Sequence, residues 1–163
     1  MKLVVSSRIW RYRYALLTTA AAVTFGISVY FLFFKPQIPE CRATVRVENQ
    51  IKDKKLQRVL LVSVVPKGAR QFTVLLNGSF FTGDTRYVVD RAITVDYQRE
   101  GNHYTMQVKE NNIKLLDTVK DDELNRLLPR VGKQQHMRIE QVDKYHYLFA
   151  SNLSPLFVCV VSP

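Results

Sequence analysis

The amino-acid sequence predicts a mainly β protein, in which one N-terminal transmembrane helix precedes a small exported domain built as a curled antiparallel sheet or barrel. Three observations lead to this prediction. An uncharged run of 21 residues follows a basic N-terminus. Beyond that run, apolar residues recur with the two-residue period of β-strands. Two cysteines lie near opposite ends of this second part of the chain.

The uncharged run covers residues 14–34, which as a helix would reach the roughly 30 Å thickness of the bilayer's hydrocarbon layer. Only basic charges precede it, on Lys2, Arg8, Arg11 and Arg13. The positive-inside rule therefore predicts a cytoplasmic N-terminus, residues 1–13, and a periplasmic domain, residues 40–163, anchored in the inner membrane by a single pass. A cleaved signal peptide is less favoured because the run ends in bulky residues, and a buried core helix is less favoured because the run lacks a polar face.

Residues 35–39 are predicted to form a short, stiff linker, because Pro36 and Pro39 restrict the backbone to extended conformations. The first strand is predicted over residues 41–48, where apolar and polar residues alternate. Two more strands are predicted over the apolar run 59–65 and over residues 71–81, separated by a turn after Pro66.

The segment 86–110 predicts a long antiparallel hairpin whose turn lies at residues 99–102. One face of its first strand is mostly apolar and is formed by Tyr87, Val89, Ile93, Val95 and Tyr97. Arg91 interrupts this face. An inward-facing arginine is either the partner of a buried carboxylate or a ligand-binding group, and the pairing role is favoured because buried charges usually have a partner.

Residues 121–128 predict one short helix, since acidic residues begin it, leucines recur at helical spacing and Pro129 follows. A second hairpin is predicted over residues 137–149, and a last strand over residues 157–161. Seven or eight short strands and one helix therefore make up the predicted domain, with the helix covering an open end.

Cys41 and Cys159 both fall in the predicted periplasmic part, an oxidising compartment in which they are expected to form a disulfide. Such a bond would hold the first and last strands side by side. Two buried, unpaired thiols are the alternative.

The net charge of +10 is weak support for nucleic-acid binding. Part of it lies ahead of the membrane run, and elsewhere the charges alternate in sign, as in residues 119–126. Together with the predicted periplasmic location, this argues against direct contact with DNA. The sequence has no nucleophile motif and no phosphate-binding glycine loop, and its histidines lack metal-ligand spacing. A non-enzymatic protein without cofactor or metal is expected.

The chain resembles the FidL-like family of small enterobacterial inner-membrane proteins in five features. These are the basic start, the single anchor, the NGSFF strand at residues 77–81, the hairpin RYVVDRAITVDYQREGNHY at residues 86–104 and the terminal FVC at residues 157–159. FidL-like proteins look like the small partners in regulator pairs such as ToxR with ToxS. The resemblance implies a lipocalin-like barrel that joins and stabilises the periplasmic domain of a one-span, ToxR-like winged-helix transcription regulator.

In similar pairs, the barrel chamber is completed by the regulator and receives bile salts, so the resemblance also implies an amphipathic ligand. The residues expected to line such a chamber are Phe80, Tyr87, Arg91, Tyr97 and Tyr104. Ordinary core packing is the alternative role for each aromatic residue. An anchored periplasmic chaperone or envelope assembly factor is the alternative function, because an open sheet edge would suit either.

Overall fold

The computed structural model describes residues 3–31, 38–51, 54–68 and 70–161. The chain forms two compact units, Met1–Lys35 and Pro36–Pro163. In the first unit, helix α1 spans Leu3–Val29. Across the described ranges, no helix has both the length and the apolar character needed to cross a membrane. The last three residues of the predicted span, 32–34, and the linker residues 35–37 lie outside these ranges.

The second unit is a closed barrel of eight antiparallel strands, in which each strand pairs with its neighbours in sequence. The prediction of a mainly β, barrel-like domain is therefore confirmed. The strands are β1 (Cys41–Ile51), β2 (Lys54–Pro66), β3 (Gln71–Thr82), β4 (Thr85–Glu100), β5 (His103–Ile113), β6 (Gln134–Gln141), β7 (His146–Ser151) and β8 (Pro155–Val160). β2 begins earlier than its apolar run because residues 54–58, which are mostly polar, pair with residues 47–51 of β1.

Because successive strands run in opposite directions, the connections between them fall alternately at one end of the barrel and at the other. The disulfide end carries the start of β1, the end of β8 and the β2–β3, β4–β5 and β6–β7 turns. The cap end carries the other connections, including the long segment 114–133 between β5 and β6, here called the cap.

The cap contains the short helix α2 (Asp122–Asn125), and Asp121 caps it by accepting a hydrogen bond from the Glu123 N–H at 2.7 Å. The predicted helix over residues 121–128 thus forms, but only its first part is α-helical. Its last turn tightens ahead of Pro129, since the N–H groups of Leu127 and Leu128 bond to carbonyls three residues back.

The disulfide end is closed covalently and by packing. Cys41 and Cys159 form the predicted disulfide, with their Cα atoms 5.5 Å apart and both side chains buried. The rings of Phe72, Tyr97 and Tyr104, here called the aromatic cluster, fill the interior at this end. The centroid distances are 5.7 Å from Phe72 to Tyr97 and 5.7 Å from Tyr97 to Tyr104. Ile38, placed in the predicted linker, is also buried in the core.

The cap is fastened to β4 by a buried ion pair. The Arg91 Nε donates to Asp117 Oδ2 at 2.7 Å, and both side chains are at most 3% exposed. The Arg91 Nη2 also donates to Asp117 Oδ1 at 3.1 Å and to Asn125 Oδ1 at 2.8 Å. The backbone of Thr118 adds a bond to the Val88 carbonyl at 2.9 Å. Arg91 therefore has the carboxylate partner that the sequence favoured.

Candidate functional site

The barrel interior contains a cavity of about 330 Å³, and its lining reaches from Phe72 of the aromatic cluster to Leu127 and Leu128 of the cap. Most of this lining is apolar and comes from inward-facing strand residues, including Val45, Leu60, Val74, Ile93, Val108 and Phe149. Cavities that bind small molecules have volumes of roughly 300–1,000 Å³ and mainly apolar walls. The cavity therefore has the character of a ligand site near the lower end of this range.

Arg58 is the notable polar group in the cavity wall. It lies on the inward face of β2, opposite Val47 of β1 and Phe80 of β3 in the strand register. Its Nη2 donates to Asn49 Oδ1 at 3.2 Å, while its buried Nε has no hydrogen-bond partner within the ranges that the structure describes. Desolvation by burial lowers the pKa of the guanidinium. Among the described residues that line the cavity none is acidic, so Arg58 has no counter-ion there.

The wall of the barrel is weakest between β1 and β8. In the described part of the chain, the ladder between these strands consists of one residue pair, Arg42 with Val160. By contrast, β1 pairs with β2 over its entire length. The described ladder between residues 43–51 of β1 and residues 155–159 of β8 thus has no residue pair, and this junction of the closed barrel is here called the seam.

The seam adjoins the cavity. Val45 and Val47 on its β1 side and Leu156 and Phe157 on its β8 side all belong to the cavity lining. The seam and the cavity therefore share residues from both strands.

A sequence model of the family described as "FidL-like putative membrane protein" matches residues 78–159, half of the chain. The chain belongs to the FidL-like family. The match runs from Gly78 in β3 to Cys159 in β8 and includes the cap and one half of the disulfide, whereas β1 and β2 precede it. No curated protein matches the chain.

The FidL-like barrel distributes the five residues predicted to line a chamber over three places. Phe80 is fully buried and Tyr87 packs half-buried against the same core. Arg91 holds the cap, and Tyr97 and Tyr104 belong to the aromatic cluster. None of these five is among the described residues that line the cavity. Their contact with a ligand stays a prediction.

Sequence reasoning missed Arg58 and the β2 side of the FidL-like cavity. The apolar run 59–65 hides which of its residues face inward, because both faces of that stretch are apolar. The signal lay just before it, where Leu56, Arg58 and Leu60 continue one face with a period of two. Arg58 thus interrupts an inward face as Arg91 does.

Within the described residues, no cluster of three or more His, Cys, Asp or Glu side chains could hold a metal ion. His103 is exposed at the β4–β5 turn, and His146 lies partly exposed beside Asp143, with its Nδ1 2.8 Å from the carboxylate. The described lining of the cavity in the FidL-like barrel is mainly apolar, and its polar members are Arg58, Lys133 and Gln135.

Proposed function

We propose that this FidL-like chain is a non-enzymatic, membrane-anchored periplasmic partner of a one-span, ToxR-like transcription regulator with a cytoplasmic winged-helix domain. In this proposal it stabilises the regulator's periplasmic domain, and the two form a joint chamber for an amphipathic ligand such as a bile salt. The observation that supports it is the seam, where the barrel wall has a one-pair ladder beside an apolar cavity.

Unpaired strand edges bind extended segments of other proteins, because the backbone N–H and C=O groups on such an edge are free to pair. Residues 43–51 of β1 offer such an edge toward β8. A strand of the regulator added there would gain backbone hydrogen bonds and would lie beside the cavity residues Val45 and Val47. Ligand and partner would then share one binding region, and a ligand could shift the pair between states only by binding one state more tightly.

Exposed apolar side chains give further support for a protein partner. Several large ones lie on the connections and strand ends of the cap end, namely Ile113, Leu115, Leu116, Val131, Leu153 and Leu156. Leu115 and Leu153 are almost fully exposed, at 104% and 98% of their reference areas. Grouped exposure of this kind is typical of interaction surfaces on soluble domains.

The anchor is proposed from the uncharged run 14–34 and its basic flank, and the family description as a membrane protein supports it. Alkaline phosphatase fused after residue 163 should be active, since the enzyme folds only in the periplasm. The same reporter replacing everything beyond Arg13 should be inactive. The opposite pattern would overturn the periplasmic location.

The partner role is tested with a photo-crosslinking amino acid placed at Arg46, an exposed β1 position beside the seam. Gln107 is the matched control, because it is exposed on β5, where both neighbouring strands pair. We expect a cross-link from position 46, and not from 107, to a protein with one membrane span and a cytoplasmic winged helix. Deletion of the chain should lower the abundance of that regulator and its response to bile salts.

A regulator that stays abundant and fully responsive in the deletion strain, with no cross-link from position 46, would refute the partner role. Cross-links from position 46 to many unrelated envelope proteins would instead support the anchored chaperone or assembly factor, which would use the same strand edge for unfolded clients.

A further inference from the structure

The barrel turns two arginines inward, and their surroundings differ. Arg91 is 2% exposed and fully paired, with Asp117 and Asn125 accepting its hydrogen bonds. Among the described residues, the partner of Arg58 is the neutral amide oxygen of Asn49, at 3.2 Å, and its buried Nε has no acceptor. A buried donor on a charged group that lacks a partner is costly, so such groups are normally satisfied. In the described part of the barrel, Arg58 is thus an inward guanidinium whose buried Nε has no hydrogen-bond acceptor.

We infer that Arg58 binds the head group of a monoanionic amphiphile whose apolar part occupies the 330 Å³ cavity. The guanidinium presents its N–H groups in a planar fork that matches the two oxygens of a carboxylate, and Nε would be one of the two donors. The apolar residues of the cavity lining, including Leu60, Val62 and Val74, would contact the tail. This inference rests on the proposed function insofar as it specifies the ligand of that chamber.

The absence of acidic groups from the described lining favours an anionic head group over a cationic one. A second basic residue, Lys133 of the cap, also borders the cavity. Because Lys133 is exposed to solvent, its ammonium group attracts an anion but does not need one as a hydrogen-bond partner. A carboxylate on an apolar body occurs both in fatty acids and in unconjugated bile salts. The cavity volume of about 330 Å³ lies near the lower end of the range for ligand cavities, so it favours a ligand with a single alkyl chain over a steroid.

The test uses the full chain in lipid nanodiscs and a dodecanoate carrying a photoreactive diazirine near its methyl end. The matched probe is the corresponding alcohol, which has the same tail and no charge. After irradiation, cross-linked peptides are mapped by mass spectrometry. We expect the carboxylate probe to label peptides of β2 and β3, and the alcohol to label them about tenfold to a hundredfold less at equal concentration, as the loss of a charge-assisted hydrogen bond predicts.

Three variants locate the head group. Arg58→Gln should reduce carboxylate labelling to the level of the alcohol, and Arg58→Lys should retain part of it because the charge remains. Arg46→Gln is the control, since Arg46 is an exposed arginine of the neighbouring strand with its side chain 68% exposed. Retention of the Cys41–Cys159 disulfide and of protease resistance shows that each variant is folded.

Competition with unlabelled decanoate or with cholate distinguishes the two sources of the carboxylate. Equal labelling by acid and alcohol in the unaltered chain, or unchanged labelling in Arg58→Gln, would overturn the inference. Failure of the partner role would have a different signature, because labelling could depend on Arg58 while position 46 gives no cross-link to a regulator.

Discussion

Asp117→Asn tests whether the ion pair with Arg91 holds the cap on the barrel. The Asp117 carboxylate accepts hydrogen bonds from Arg91 Nε and Nη2 and from the backbone N–H groups of Asp90 and Val119, at 2.7, 3.1, 3.1 and 3.0 Å. Burial by itself would raise the pKa of Asp117, but these hydrogen bonds outweigh it and lower the pKa. The substitution keeps the shape and removes the charge, so Arg91 is left buried without its counter-ion.

Removing one partner of a buried ion pair typically destabilises a protein by about 3–5 kcal/mol. Asparagine keeps one acceptor oxygen, so we expect a loss near the lower end, about 3 kcal/mol. Adding Arg91→Met to Asp117→Asn should recover about 1–2 kcal/mol, because the uncompensated charge is then also removed. Glu140→Gln is the control, since the Glu140 side chain is 39% exposed in its pair with Arg138, and exposed pairs contribute at most about 1 kcal/mol.

Pulse proteolysis of the full chain across a urea series measures the free energy of unfolding without relying on Trp10, which lies in α1. Hydrogen exchange of residues 114–128 reports the cap separately. An Asp117→Asn variant within 0.5 kcal/mol of the unaltered chain, or a double variant less stable than the single one, would show that the ion pair does not fasten the cap.

Three further outcomes follow from the described geometry. Cys41→Ser should lower the free energy of unfolding by up to about 5 kcal/mol, because the disulfide closes a loop with a sequence separation of 118; an unchanged urea midpoint would contradict this. Gly78→Ala should destabilise the barrel by more than 1 kcal/mol, because a Cβ would overlap the carbonyl oxygen of Val59, and thermal unfolding should show it. The pKa of Asp117 is lowered on folding, so its stabilisation is present above the unfolded value of about 3.9 and is lost as the pH falls through the lower folded value. The protection factors of the cap amides, which are exchange rates corrected for the intrinsic pH dependence of amide exchange, should therefore stay constant between about pH 5 and 8 and fall below about pH 4.

The strands and the disulfide could be predicted because local patterns determine them. Alternation from Cys41 onward, the turn glycine Gly101 with its φ of 64°, and Pro129 after the helix each act over a few residues. The Cys41–Cys159 disulfide could be predicted from the expected oxidising compartment and the presence of two cysteines. Strand ends were less accurate, because polar residues such as those at the start of β2 extend a strand when a partner strand is present.

The cavity could not be predicted because it depends on which inward residues fill the barrel. Tyr97 and Tyr104 face inward as predicted, but they contact each other at the disulfide end and so fill the space there. Aliphatic side chains nearer the cap leave space between them. The partner of Arg91 lies 26 positions along the chain in the cap, and no periodic pattern indicates a contact of that kind.

The order of the strands has a consequence for how the barrel comes together. Every ladder except the one at the seam joins strands that are adjacent in sequence, so hairpins can form in succession, with short connections to close everywhere but at the cap, which joins β5 to β6. Closure between β1 and β8 joins the two ends of the domain, and among the described residues its ladder is the Arg42–Val160 pair, beside the disulfide. Oxidation of Cys41 with Cys159 should therefore come last. The rate at which the two thiols disappear after synthesis should then report the completion of folding, as measured by alkylation in intact cells.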